Sequence, residues 1–509
     1  MIKRIPITIG DLTDHQVGTD DILIGVPNSI NVLYGDAGGS LLDHAIGGND
    51  TLTGGANSID MLYGDARINL LDHAVGGNDT LATFGAGSLY GDAGADMTDH
   101  AAGGNDTLTA QLAPLSSITI NMFGDAGGNI SDHAVSGSDI LNVQISPSSS
   151  GARTNANTYG DAGGNMSDHA VGGNDTLTGH GVDFDLRFYG DAGGNMSDHA
   201  HGGNDSFTAS DIESANYFYG DGGGDMSGHA SGGNDIFTVS DAINPSNVFY
   251  GDAGGNMSDH AQGGNDTFND SSIFNFRIGG STFYGDAGGD MSDDAHGGND
   301  TFATTGLHNN YVFYGDAGGN MGDQTVGGDD TYIGGNVFHD FRNSMNHAYG
   351  DALTMSGNAQ GGNDTLIGGN DPTPPPGGEY ESNLIGDAQT MSGNACGGND
   401  KLISGTGNDD MWGDAQVVLG NAHGGNDTFV FNSNNGQDKI EDFGQGVAAS
   451  NLGTDHIDVT ALGIHDFGQL NISAFDPITH ESTITLSPGN DVVVHSQVAL
   501  TAHDFILAG

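Results

Sequence analysis

Basic residues are scarce. The 509 residues include 9 Lys and Arg against 67 Asp and Glu, a formal net charge of −58. A nucleic-acid ligand needs cations to replace its counter-ions, so that class is excluded, as is attraction to an anionic membrane surface. Cysteine is nearly absent: Cys396 stands alone, which excludes a disulfide scaffold. Glutamate is rare too. Only 5 of the acids are Glu, so 62 are Asp, and glycine supplies 90 residues. Asp and Gly both disfavour helix, so little of the chain is expected to be helical. No apolar run approaches the ~20 residues that cross a bilayer, so no membrane insertion is expected. Met1 to Gly10 lacks an apolar core of signal-peptide length, so a cleaved N-terminal secretory signal is not expected.

At 35% apolar content and this charge, the chain is expected to stay disordered without a counter-ion. Neutralising 58 charges with divalent cations would take 58/2 = 29 ions, an upper guide.

What the chain has is a repeat. One block recurs thirteen times, most regularly from Tyr159 through Gly160-Asp161-Ala162-Gly163-Gly164-Asn165-Met166-Ser167-Asp168-His169-Ala170 to Gly172-Gly173-Asn174-Asp175-Thr176-Leu177. The opening Gly-Asp pairs recur every 27 to 36 residues. From the opening Gly to the closing Asp is 15 residues in the first ten copies (Gly35 to Asp50) and 14 in the last three (Gly350 to Asp364). The remaining length change lies in the connectors. A fixed block with variable connectors points to a site of fixed geometry with loops displayed beside it.

The connectors often end in alternating apolar residues, such as Ile118, Ile120 and Met122, which is strand periodicity. Tyr precedes Gly-Asp in ten copies, and the residue two after the closing Asp is apolar in all thirteen. Each repeat therefore reads as strand, Gly-rich turn, loop, Gly-rich turn and short strand. Stacked repeats would bury the apolar ladders. The predicted fold is all-β: a parallel β-roll or β-solenoid of about thirteen repeats over 26–431, with a partial repeat at 1–25 and a C-terminal β cap at 432–509. Residues 371–378, rich in proline, read as a linker-like insertion.

Calcium takes 6 to 8 oxygens from carboxylates, carbonyls and amides, and the block is rich in all three. The candidate ligands are the opening aspartates Asp36, Asp65, Asp92, Asp125, Asp161, Asp191, Asp221, Asp252, Asp286, Asp316, Asp351, Asp387 and Asp414. To these add the closing aspartates Asp50, Asp79, Asp106, Asp139, Asp175, Asp205, Asp235, Asp266, Asp300, Asp330, Asp364, Asp400 and Asp427. The bland alternative is that Asp in a Gly-rich turn is solvated or bonds to turn amides.

The closing half, Gly172-Gly173-Asn174-Asp175-Thr176-Leu177, resembles the calcium-binding nonapeptide of the repeats-in-toxin proteins. The opening half, Gly160-Asp161-Ala162-Gly163-Gly164-Asn165, resembles the same hexad with Asn at the Asp position. The two halves depart from a plain nine-residue rhythm, since Asn165 and Asp175 lie ten apart. The segments Asp438-Lys439-Ile440-Glu441-Asp442-Phe443 and His503-Asp504-Phe505-Ile506-Leu507 look like the uncleaved tails that send such proteins to type I secretion machinery. The resemblance implies a bacterial protein, secreted or on the cell surface, that folds on external calcium. It implies a structural role in a matrix, surface layer or self-assembling fibre. The alternatives are an adhesin using its connectors and, further off, an extracellular enzyme.

No catalytic arrangement stands out, and Cys396 occupies a variable block position shared with Val171 and His201. A histidine recurs as His44, His73, His100, His133, His169, His199, His229 and His260, then gives way to Asp294, Gln324, Asn358, Asn394 and Asn421. A zinc or copper ligand would not be exchanged so freely for carboxamides. A hydrogen-bonding role between turns fits all four residue types. Methionines such as Met166 and Met196 interchange with aliphatics, which marks core packing, and the Tyr row reads as stacked core.

Overall fold

In a computed structural model of the chain, the described residues are 10–112, 117–146, 153–181, 184–210, 215–240, 246–272, 280–305, 310–335, 346–370, 382–446 and 451–509. The proline-rich insertion and most of the long connectors lie outside them. The fold is an all-β parallel solenoid; among the described residues the only helices are three 3-10 turns. The chain divides into two units, 1–256 with 260–264, and 257–259 with 265–509.

In the N-terminal unit Thr51–Tyr63 and Thr80–Tyr90 each run as one strand from the closing Asp to the next Gly-Asp, and from Thr107 on each coil carries one strand after the closing Asp and one before the next Gly-Asp. Thr107–Leu112 pairs in parallel with Ile140–Ile145, which pairs with Thr176–Gly181, which pairs with Ser206–Ser210. On the other side Ile118–Phe123, Thr154–Tyr159 and Phe184–Tyr189 stack in the same way. The register puts Leu141 on Leu177 and Leu177 on Phe207, so these residues fall on the inward face and are fully buried. Between the strands the block is tied to its neighbours by isolated parallel bridges, such as Ala162 to Ala192 and Met166 to Met196. These Ala and Met ladders are buried, as the methionine interchange predicts.

The tyrosines before Gly-Asp stack at 4.6–4.9 Å, from Tyr63 to Tyr90 and from Tyr189 to Tyr219 and Tyr250, with Phe123 as one member. They are mostly half-buried, forming the edge of the core rather than its centre.

The C-terminal unit uses the same two strands per coil and adds a third. Ala317–Met321, Ala352–Met355, Ala388–Met391 and Ala415–Val418 form a separate four-stranded parallel sheet. Its first pairing shifts register between Ala317 and Asn320. That bulge absorbs the one residue by which the tenth block exceeds the last three. The parallel ladder continues past residue 431: Gln437–Phe443 pairs with Asp409–Trp412, and His456–Asp458 with Thr428–Val430. Beyond it, Glu481–Ser487 and Asn490–Ser496 form an antiparallel hairpin whose second strand pairs with Gln437–Phe443.

Candidate metal sites

All 26 candidate aspartates are buried. Burying a carboxylate is costly unless its oxygens are satisfied, so the hydrogen bonds of each kind decide what the rows can do.

The closing aspartates form a ladder along each unit. The backbone N–H of Asp139 donates to Oδ1 of Asp175 at 2.7 Å, and that of Asp175 to Oδ1 of Asp205 at 2.6 Å. In the C-terminal unit Asp300 donates to Asp330 and Asp330 to Asp364, both at 2.6 Å. The ladder ends on Asp455, which accepts from Asp427 at 3.0 Å. The opening aspartates accept from their own block instead. The N–H of Gly173 donates to Asp161 at 3.0 Å, that of Gly77 to Asp65 at 2.7 Å, and that of Gly362 to Asp351 at 2.7 Å.

Many of these carboxylates keep one oxygen without a donor, whereas Asp125, Asp191 and Asp221 each accept from one glycine N–H on both oxygens. Oδ2 of Asp79, Asp106, Asp139 and Asp175, and Oδ1 of Asp65, Asp92 and Asp161, are buried without a hydrogen-bond donor. So are Oδ2 of Asp316, Asp330, Asp364, Asp400 and Asp427 in the C-terminal unit. Carboxylate oxygens of the two rows converge. Asp36, Asp50 and Asp65 bring one oxygen each to within 4.8 Å of the others, and so do Asp125, Asp139 and Asp161. Each group joins the opening and closing Asp of one coil to the opening Asp of the next.

Glycine makes room for this convergence. A Cβ on Gly160 would collide with the Asp175 carboxylate and the Gly190 carbonyl, and one on Gly172 with Asp191. The Gly-Asp and Gly-Gly pairs of the block are therefore spatial requirements of the carboxylate row.

At Asp161 the neighbouring charges are all carboxylates. Burial pushes the Asp161 carboxyl well above the ordinary carboxylate value, and the neighbouring charges that add to the shift are Asp175, Asp191 and Asp125. Asp50 is pushed up to about 8, and Asp351 to about 6, chiefly by burial. Two carboxylates 4.8 Å apart repel by about 3.5 kcal/mol at an effective dielectric of ~20. A row of them cannot stay ionised without bound cations. The clusters could hold metal ions: oxygens that share an ion at about 2.3–2.6 Å lie within about 5.2 Å of each other.

Some carboxylates of the same kind escape the sequence reading. Asp21 donates its N–H to Asp50 at 2.5 Å and so begins the closing ladder, while Asp442 and Asp455 extend the rows into the last coil. A second cluster lies among the starts of the other strands. The N–H of Asp409 donates to Oδ1 of Asp438 at 3.0 Å, repeating the ladder bond, and Oδ1 of Asp409 is buried without a donor. Burial pushes Asp409 up to about 7. The sequence signal was Gly405-Thr406-Gly407-Asn408-Asp409, a five-residue Gly-Asn-Asp turn outside the thirteen blocks.

The recurrent histidine differs from expectation. Its rings stack from coil to coil on exposed turns, for example His73 on His100 at 4.9 Å and 2°. The carboxamides that replace it do hydrogen-bond: Nδ2 of Asn394 donates to Oδ1 of Asn358 at 3.1 Å, and Asn421 to Asn394 at 3.2 Å. Imidazole and amide are both planar and both form ladders at the coil spacing, which explains why the fold accepts either.

No family model, curated protein or solved structure matches the chain.

Proposed function

We propose that this chain is a calcium-dependent structural protein of the repeats-in-toxin type, secreted through type I machinery and folding only where calcium is abundant. The observation that carries this reading is the donorless oxygen repeated along the two buried aspartate rows, as in Asp139, Asp161 and Asp175. Such rows need cations at every coil. Calcium fits the donors: it prefers carboxylate and carbonyl oxygen, accepts irregular coordination, and sheds water more readily than magnesium. The opening and closing aspartates would hold it, and it would supply the positive charge that lets neighbouring coils close on each other. Sites with dissociation constants of about 10⁻⁴ to 10⁻³ M suit extracellular calcium and stay empty inside a cell. Such a chain is exported loose and folds outside, where it serves as matrix, surface-layer or fibre material. Equilibrium dialysis against calcium tests the reading: many ions per chain support it, and fewer than about five would contradict it.

One observation favours the second reading, a binding module. The N-terminal unit carries a polar groove of about 430 Å³ lined by Thr119, Asn155, Asn157, Asp185, Leu186, Arg187 and Tyr217. The Arg187 guanidinium lies 5.7 Å from the centre of the Tyr217 ring. Capture of a surface ligand that is lost in R187A would favour the adhesin.

A further inference from the structure

The N-terminal unit presents nine imidazoles in a single column: His15, His44, His73, His100, His133, His169, His199, His229 and His260. Consecutive rings lie 4.6–5.0 Å apart, and all nine residues are exposed. The backbone beneath is fixed. Each histidine follows a residue in the left-handed region, Asp168 at φ 62° for example, and the His169 N–H donates to the Asp132 carbonyl at 2.7 Å on the preceding coil. The rings themselves are not fixed. The pairs His15–His44, His169–His199 and His199–His229 are tilted by 45–47°, whereas the others are parallel within 4°.

A ladder at this position does not require imidazole. In the C-terminal unit Asn358, Asn394 and Asn421 build one from amides, and no histidine occupies the position there. The exchange that argued against a metal ligand is thus confined to one unit, and the other keeps imidazole at nine consecutive coils. Two features distinguish imidazole here: a nitrogen lone pair that binds transition metals, and exposure that leaves the ring able to turn toward an ion.

We propose that this column binds divalent transition-metal ions of the zinc, nickel and copper class, each ion shared by imidazoles of adjacent coils. Two nitrogens on a tetrahedral ion at about 2.0–2.1 Å stand about 3.3 Å apart. Ring centroids stand about 1.5 Å farther apart than that. The tilted pairs, at 4.6–5.0 Å, show that the rings can adopt different torsions at this spacing, so that two rings turned toward one ion bring their nitrogens together. The neighbouring exposed row, including Asp43, Asp72, Asp99, Asp132 and Asp168, offers carboxylate oxygens to complete the set. Calcium does not compete, because it prefers oxygen ligands. The column is therefore chemically distinct from the buried aspartate rows, although on the proposed reading it forms only once cations on those rows have closed the coils.

The test is equilibrium dialysis of the full chain against zinc chloride or nickel chloride at saturating calcium, with metal analysis. Nine imidazoles taken in pairs give an expected uptake of about four ions. The variant H73N/H100N/H133N/H169N carries the residue that the C-terminal unit already uses, so circular dichroism should be unchanged while uptake falls by about half. The control H201N/H465N/H503N, outside the column, should keep full uptake. Equal uptake by the column variant and the unmodified protein, or uptake lost in the control instead, would overturn the proposal.

Discussion

The backbone N–H of Asp139 donates to Oδ1 of Asp175 at 2.7 Å, while Oδ2 of Asp175 is buried without a donor. One carboxylate thus does two things. One oxygen ties a coil to the next through the backbone, and the other is left for a cation. The same division recurs at Asp106 and Asp139 and, in the C-terminal unit, at Asp330 and Asp364.

Replacing that carboxylate should change the sign of its effect with calcium. In saturating calcium, D175N removes a buried ligand and should cost about 3–5 kcal/mol, read as a shift in the denaturant midpoint. In chelator the same change removes one buried charge from a repelling row and should make the chain more compact by light scattering. D168N, on an exposed turn where Asn also tolerates positive φ, should stay within about 0.5 kcal/mol in both conditions.

Two glycines two coils apart should respond oppositely to alanine. At Gly160 a Cβ would strike the Asp175 carboxylate and the Gly190 carbonyl, so G160A should destabilise by about 3 kcal/mol or more and lower the number of bound ions. Gly222 holds the position that is Ala in the other twelve blocks, and a Cβ there finds its nearest neighbour at 3.5 Å. G222A should be neutral or stabilise by about 0.4–1 kcal/mol, because it lowers the freedom of the unfolded chain. Paired thermal melts in calcium check both.

Protons should compete with calcium. Burial raises Asp50 to about 8 and Asp351 to about 6, above the ordinary 3.8. A carboxyl raised on folding contributes stability that is full below about 4 and is lost as pH climbs through the raised value. In chelator, β-structure should therefore grow as pH falls from about 8 toward 5. In calcium the dependence should be weaker or reversed, because the ions require the ionised form. Binding near pH 7 should release protons, measurable by calorimetry in buffers of different ionisation enthalpy.

Much of this was legible from residues 35–50 and their twelve copies. The Gly-Asp and Asn-Asp positions marked the carboxylates, and Leu177, Phe207 and their equivalents marked the buried face, because a parallel stack superposes like on like. The extra residue of the tenth block was visible as a spacing change, but its bulge was not, since register is fixed by pairing across coils. Asp409 and Asp438 were missed because their turns fall outside the block, and only stacking brings them together. The histidine was read as a hydrogen-bonding residue, and its ring stacking was not foreseen. Its exchange for Asn showed that both sustain a ladder, whereas ring stacking became visible only at a coil spacing of about 4.8 Å.

The central claim is that cations on the buried aspartate rows make this chain fold. A calcium titration of the metal-free chain at pH 7.5, followed by circular dichroism and light scattering and reversed with chelator, tests it most directly. The expected result is a transition from a disordered to a β-rich spectrum between about 10⁻⁴ and 10⁻³ M calcium, fully reversed by chelator. Growth in particle size through the same range would add self-association into fibres or a lattice. A chain already β-rich in chelator, and unmoved by calcium, would contradict the account.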